Sequence, residues 1–207
     1  MNVLRIEDVG IEAAAQEAAR VLREGGVILY PTETVYGLGV DASNPEALTK
    51  LYRLKNRSKY KTALIAVGSV ADMEQYGVMN ALSHTLAQKF LPGPLTLVLT
   101  ATEYAGEGII RDDGTVGIRV PDDAFCMALA MTFKGAYTST SANIGGQQPA
   151  NSIQEILAQF GEKASDISLV IDGGERSSGT PSTIVSCVGE ELAILREGVF
   201  SREELGL

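Results

Sequence analysis

Gly25-Gly-Val-Ile-Leu-Tyr-Pro-Thr-Glu-Thr-Val-Tyr-Gly-Leu-Gly39 marks the place where a helix hands over to a strand and the strand to a glycine-rich turn. Upstream of it, Ile11, Ala14, Ala15, Ala18, Ala19 and Leu22 recur at the spacing of one helix face, and Gly25-Gly26 supplies the stop. Val27–Tyr30 is a short apolar run ended by Pro31, which reads as a buried strand. From Thr32 to Gly39 the chain passes into glycines, where backbone can approach a ligand and Thr32 offers a hydroxyl. A tight turn that needs glycine for steric reasons is the alternative.

Further along, Asn44-Pro45-Glu46 combines an N-cap, a proline at the first helical position and an early acid, so a helix is expected to about Leu54. Strands are expected at Ala63–Val67, Leu95–Leu99, Thr115–Val120, Ala136–Thr140 and Leu169–Asp172. Helices are expected around Leu82–Phe90, at Ala124–Phe133 and at Ile153–Phe160. Two last strands, Ser182–Val188 and Leu192–Arg196, flank Gly189-Glu190-Glu191 as a hairpin turn. Helices and strands alternate without repeat or linker, so the expected fold is one α/β domain over residues 1–207 with a mixed sheet. The hairpin at the end argues against a purely parallel sheet.

Composition narrows the function classes. The 207 residues carry 26 acidic and 17 basic side chains, a formal charge of −9, unlike a stand-alone nucleic-acid binder. A few focused cations can still dominate one concavity. Cys126 and Cys187 lie far apart with no metal-binding spacing and read as buried reduced thiols. The N-terminus lacks the pattern of a signal peptide and no apolar stretch reaches membrane-spanning length, so a cytoplasmic protein without a membrane partner is expected.

No GxxxxGK[ST] loop is present, and Gly37-Leu38-Gly39 lacks the third glycine of a dinucleotide fingerprint. His84 is the single histidine, which leaves no Ser–His triad and no histidine metal site. Hydroxyl, amide and cationic residues at strand ends remain. Lys55-Asn-Arg-Ser-Lys-Tyr-Lys61 puts four cations in seven residues after a helix, either complementing the helix dipole in water or holding phosphate. Arg57 could give planar bidentate contacts and Lys55 a point charge. Thr138-Ser-Thr-Ser-Ala-Asn-Ile-Gly-Gly146 and Thr180-Pro-Ser-Thr183 gather hydroxyls that suit either ordinary turns or the rim of a polar ligand site.

Together these segments resemble the YrdC/Sua5 family in its short, single-domain form. The likeness runs from Gly25–Gly39 through Leu91-Pro-Gly-Pro-Leu-Thr-Leu97, Val116-Gly-Ile-Arg-Val-Pro121 and Ser141-Ala-Asn143 to Leu195-Arg-Glu-Gly198. The family's lysine–X–arginine and serine–X–asparagine pairs stand as Lys55/Arg57 and Ser141/Asn143. Where the family usually continues its lysine–X–arginine with proline, this chain has Ser58.

The resemblance implies a twisted open mixed sheet with flanking helices around a concave, positively charged groove. It implies a nucleotidyltransferase that converts L-threonine, bicarbonate and ATP to threonylcarbamoyl-adenylate and pyrophosphate, for N6-threonylcarbamoyladenosine of tRNA. Lys55, Arg57, Ser141 and Asn143 would be the catalytic residues. Thr32, Arg119, Ser141 and Ser182 would surround threonine, while Lys55, Arg57, Thr115, Asn143 and Arg196 would face ATP. Mg²⁺ would arrive with the triphosphate, with no protein side chain as ligand. A tRNA-modifying transferase complex would consume the product, and any tRNA or RNA binding by this chain would be weak. Two rival readings are a non-enzymatic double-stranded RNA or tRNA binder and a YciO-type relative of different activity.

Overall fold

The computed structural model describes residues 1–56, 62–175, 179–189 and 191–207. In chain order its elements are β1 (Asn2–Arg5), α1 (Ile6–Val9), α2 (Ile11–Arg23), β2 (Ile28–Tyr30), β3 (Gly37–Gly39), α3 (Pro45–Leu54) and β4 (Ile65–Ala66). There follow α4 (Val70–Tyr76), β5 (Gly77–Val78), α5 (Ala81–Phe90), β6 (Leu95–Ala101), β7 (Thr115–Arg119), α6 (Ala124–Phe133), β8 (Tyr137–Thr138) and β9 (Thr140–Ser141). The chain ends with α7 (Ile153–Phe160), β10 (Leu169–Asp172), β11 (Thr183–Ser186), β12 (Ala193–Arg196) and α8 (Arg202–Leu205). Both α6 and α7 have the bounds expected from the sequence. α3 begins where expected, the Asn44 side chain accepting from the N–H groups of Glu46 at 3.0 Å and Ala47 at 3.1 Å.

The mixed α/β architecture with flanking helices is as expected; the one departure is that the strands divide between two sheets. One is five-stranded in the order β1-β10-β2-β3-β9; the other is seven-stranded, β12-β11-β6-β7-β4-β8 with β5 on β6. Parallel and antiparallel pairs occur in both. The expected strand Ala136–Thr140 is the reason for the difference. Its first half, β8, pairs antiparallel with β4, and after Ser139 its second half, β9, pairs antiparallel with β3. Apolar periodicity says that a segment is a strand but not which sheet it joins.

Side-chain alternation explains the apolar run in β2. Ile28 and Tyr30 enter one core with Leu169 and Ile171, while Val27 and Leu29 enter the other with Val170. A strand covered on both faces has no polar side, so it reads as continuous rather than alternating. The first of these cores is closed by α2 and α6, where Ala14, Ala15, Ala18 and Ala19 leave room for close approach to Phe125 and Leu129.

Gly37-Leu38-Gly39 is strand β3, not a turn. The reversal lies in Pro31–Tyr36, and β3 runs back antiparallel along β2, with Tyr30 opposite Gly37 and Ile28 opposite Gly39. Its glycines serve the Tyr30 ring: a Cβ on Gly37 would stand 2.9 Å from Tyr30 Cζ, and one on Gly39 3.0 Å from Tyr30 Cε1. That ring is fully buried between Phe125 and Tyr137, at centroid distances of 6.3 and 5.7 Å, and cannot move aside. Among the described residues no helix is long and apolar enough to cross a membrane.

Gly37→Ala should therefore destabilise the protein by about 1–3 kcal/mol, the usual cost of overpacking a filled core. Guanidinium denaturation measures it; a variant within about 0.5 kcal/mol of wild type would show that the Tyr30 ring can yield.

Candidate active site

Where the two sheets part, the chain leaves a cavity of about 640 Å³, within the range of small-molecule sites. The reversal between β2 and β3 supplies Thr32, Thr34 and Tyr36. The crossing and the loop after it supply Ser139, Thr140, Ser141 and Asn143, and β7 supplies Gly117 and Arg119. The start of β11 contributes Pro181, Ser182 and Ile184, and β12 contributes Arg196. Four cations, Lys55, Arg111, Arg119 and Arg196, face it, and no carboxylate stands among its described lining residues. In a chain of net charge −9 these four cations stand together along one cavity.

Lys55 ends α3 and is only 2% exposed. Its ammonium donates to the backbone carbonyls of Ser141 and, at 2.9 Å, of Asn143. The Lys55 carbonyl in turn accepts from the Gly145 N–H at 2.8 Å. Gly145 sits so close that an added Cβ would lie 3.2 Å from that same carbonyl oxygen. The lysine thus ties the Ser141–Gly145 loop to the end of α3. Within the loop the Ser141 hydroxyl donates to Asn143 Oδ1, and Asn143 Nδ2 donates to the carbonyls of Ile144 at 3.0 Å and Gln147 at 2.6 Å.

A second network fixes Arg119. Its Nη2 donates to Glu33 Oε1, and its Nη1 donates to Thr34 Oγ1 at 3.4 Å. Thr34 and Thr32 hydroxyls bond at 2.9 Å, and Thr32 Oγ1 donates to the Val35 carbonyl at 2.7 Å. Across the cavity the Ser182 hydroxyl bonds Thr96 Oγ1 at 2.9 Å. Arg196 Nη2 donates to the Ser182 carbonyl at 2.7 Å and to its hydroxyl at 3.2 Å. Gly198 lies against this segment; a Cβ there would meet Pro181 O at 2.3 Å and Ser182 C at 2.5 Å. Only glycine lets the chain after β12 cross Pro181–Thr183 so closely.

Of the residues singled out in the sequence, Thr32, Lys55, Arg119, Ser141, Asn143, Ser182 and Arg196 are brought together here. Arg57 lies outside the described residues. Thr115 is on β7 but does not line the cavity; its hydroxyl donates to Asp113 Oδ1 at 2.5 Å. That hydroxyl, with the Thr115 N–H and the Arg111 charge, holds the Asp113 carboxyl below its ordinary pKa. Sequence reasoning missed Arg111, Thr62 and Tyr36. Arg111 had a signal: it is the one cation in the acid- and glycine-rich stretch between Thr102 and Gly114.

Cys126 and Cys187 are free and buried, outside the cavity lining. Burial pushes the Cys187 thiol up to about 12 and also raises that of Cys126. His84 is surface-exposed, 3.7 Å from Glu74. No group of three or more His, Cys, Asp or Glu side chains among the described residues could hold a metal ion.

Comparisons with known proteins agree on one family. The Sua5/YciO/YrdC family model, described as telomere recombination, matches residues 20–198. Threonylcarbamoyl-AMP synthase of Homo sapiens is 37% identical over 199 residues, covering 93% of this chain and 70% of that one. The chain spans 58 to 70% of the length of the mammalian relatives it matches. The crystal structure of P. abyssi Sua5 complexed with L-threonine is similar at a TM-score of 0.89 and 31% identity, over 99% of this chain and 59% of that one. E. coli YciO shares the fold at a TM-score of 0.85 and 22% identity, over 94% of this chain and 93% of that one. By the span of the family match and by relatives above 30% identity, the chain belongs to the Sua5/YciO/YrdC family.

Proposed function

We propose that this chain is a threonylcarbamoyl-AMP synthase, a nucleotidyltransferase using L-threonine, bicarbonate and ATP. The observation that carries the reading is the cavity itself: four cations and a ring of hydroxyls with no carboxylate among the described lining. Such a lining suits several anions held together and repels a metal-cage or acid–base-pair chemistry. The names of the family relatives, and L-threonine in one related crystal structure, support ATP and L-threonine among these substrates.

The reaction asks little of protein nucleophiles. Threonine's amine, once it has lost a proton, attacks the carbon of bicarbonate; a C–N bond forms, and water leaves to give the carbamate. A carbamate oxygen then attacks the α-phosphorus of ATP, an O–P bond forms, and the bond to the pyrophosphate group breaks. Both steps bring anions together, so the protein contributes alignment and positive charge. In this reading Arg119 meets the threonine carboxylate, with Thr32, Ser141 and Ser182 around the amino acid. Lys55, Asn143 and Arg196 face the nucleotide, joined by Arg57, and Arg111 extends the same cationic wall beside Thr115. Lys55 acts partly through the loop it holds, since its ammonium is bonded to the carbonyls of Ser141 and Asn143.

Mg²⁺ belongs to the reading only as a companion of the triphosphate, whose charge it would offset. The described lining offers it no carboxylate, and no step above is routed through it. The product would pass to a cytoplasmic transferase complex that modifies tRNA.

The direct test is pyrophosphate release from purified protein given ATP, bicarbonate and L-threonine. Release that depends on threonine and on bicarbonate is expected; none from well-folded protein would end the reading. Selectivity follows from the hydroxyl-rich lining. A missing methyl costs about 10–200-fold, whereas an unpaired buried hydrogen-bonding site costs more. Serine should therefore outperform both alanine and valine in kcat/KM. Valine turning over as well as serine would mean that shape, not hydrogen bonding, selects the amino acid.

A further inference from the structure

Arg119 and Glu33 form a buried ion pair that is only half satisfied. Their side chains are 5% and 17% exposed. Glu33 Oε1 accepts from Arg119 Nη2 and also from the Asp122 N–H at 3.2 Å. Arg119 Nε and Glu33 Oε2 are buried without a hydrogen-bond partner among the described residues. Native proteins leave few such atoms, and those that remain call for a reason. Here Arg119 borders the cavity, whereas Glu33 is set back from it and not part of the lining.

An arginine reaches its target on a long rotatable stem, and its planar fork is useful only when its plane is fixed. Glu33 takes Nη2, Thr34 takes Nη1, and the Asp122 N–H pins the same carboxylate oxygen from the end of β7. The guanidinium is thereby left with one orientation. We infer that Glu33 is a positioning residue: it sets the Arg119 fork so that it meets the carboxylate of the amino-acid substrate in a single pose. Glu33 itself touches neither substrate nor reacting atoms. The inference rests on the functional reading above and adds to it a residue that determines amino-acid affinity.

Two substitutions separate positioning from mere charge balance. Glu33→Gln keeps the length and the Oε1 acceptor but removes the charge. Glu33→Asp keeps the charge but draws it back by one methylene, away from Nη2. Steady-state KM for threonine and for ATP, kcat and thermal midpoint are measured on both. For Glu33→Asp, threonine KM should rise by ~10-fold, about what one charge-assisted hydrogen bond is worth, with ATP KM within about 2-fold. Glu33→Gln should stay within about 3-fold of wild type in threonine KM, because the acceptor remains.

The reverse order, with Gln impaired and destabilised and Asp near wild type, overturns the proposal in favour of charge balance. So does a common rise in both KM values, or failure of both variants to fold, since either makes Glu33 a stability residue. Wild-type turnover with an indifferent Glu33→Asp overturns this proposal alone. Absent threonine-dependent turnover in wild type overturns the functional reading and this proposal with it.

Discussion

The crossing of the chain from one sheet to the other at Ser139 is the constraint on which the site depends. Thr138 closes β8 in one sheet and Thr140 opens β9 in the other, with Ser139 alone between them. Thr138 stitches the seam: its hydroxyl accepts from the Val40 N–H at 3.0 Å and donates to the Leu38 carbonyl at 3.2 Å. Its own carbonyl accepts from the Tyr30 hydroxyl at 3.1 Å, and its N–H donates to Val40 at 2.9 Å. Ser139 N–H donates to Leu64 at 2.7 Å on the opposite side. The cavity lies beside this crossing and is lined by residues of both sheets. Burial keeps the Tyr30 hydroxyl protonated far above neutral pH, so this bond persists across the working range.

Around that opening the fold keeps cations that a core would ordinarily reject. Burying an ammonium or guanidinium is costly unless its hydrogen bonds are supplied. Lys55 gets its bonds from two backbone carbonyls, and Arg119 from a carboxylate and a hydroxyl. The two solutions differ in consequence. Carbonyls leave the charge of Lys55 uncancelled, so its field still reaches the cavity. Glu33 offsets the charge of Arg119 but orients its fork. In the proposed reading one residue therefore serves as charge and scaffold, the other as a directed donor.

Much of this was legible beforehand where the signal is local. Asn44-Pro45 and the apolar stretches Ala124–Phe133 and Ile153–Phe160 state helices in short windows, and those helices are present. The pairs Lys55/Arg57 and Ser141/Asn143, with Arg119, Ser182 and Arg196, were found through a family likeness, not from periodicity. What failed depends on distant partners. Gly37 and Gly39 look like turn residues until the Tyr30 ring lies across them. The break at Ser139 is set by β3 and β4, more than 70 residues upstream (Ile65 pairs with Thr138). Arg111 stands amid acids between two strands and belongs to none of the quoted motifs.

The central claim is that one seam between the sheets holds nucleotide and amino acid together. A crystal structure of the protein with L-threonine and a non-hydrolysable ATP analogue tests it most directly. The account predicts both molecules in the cavity, the threonine carboxylate on Arg119 and the phosphates among Lys55, Arg111 and Arg196. Either ligand bound elsewhere on the surface, with the seam left empty, would contradict it.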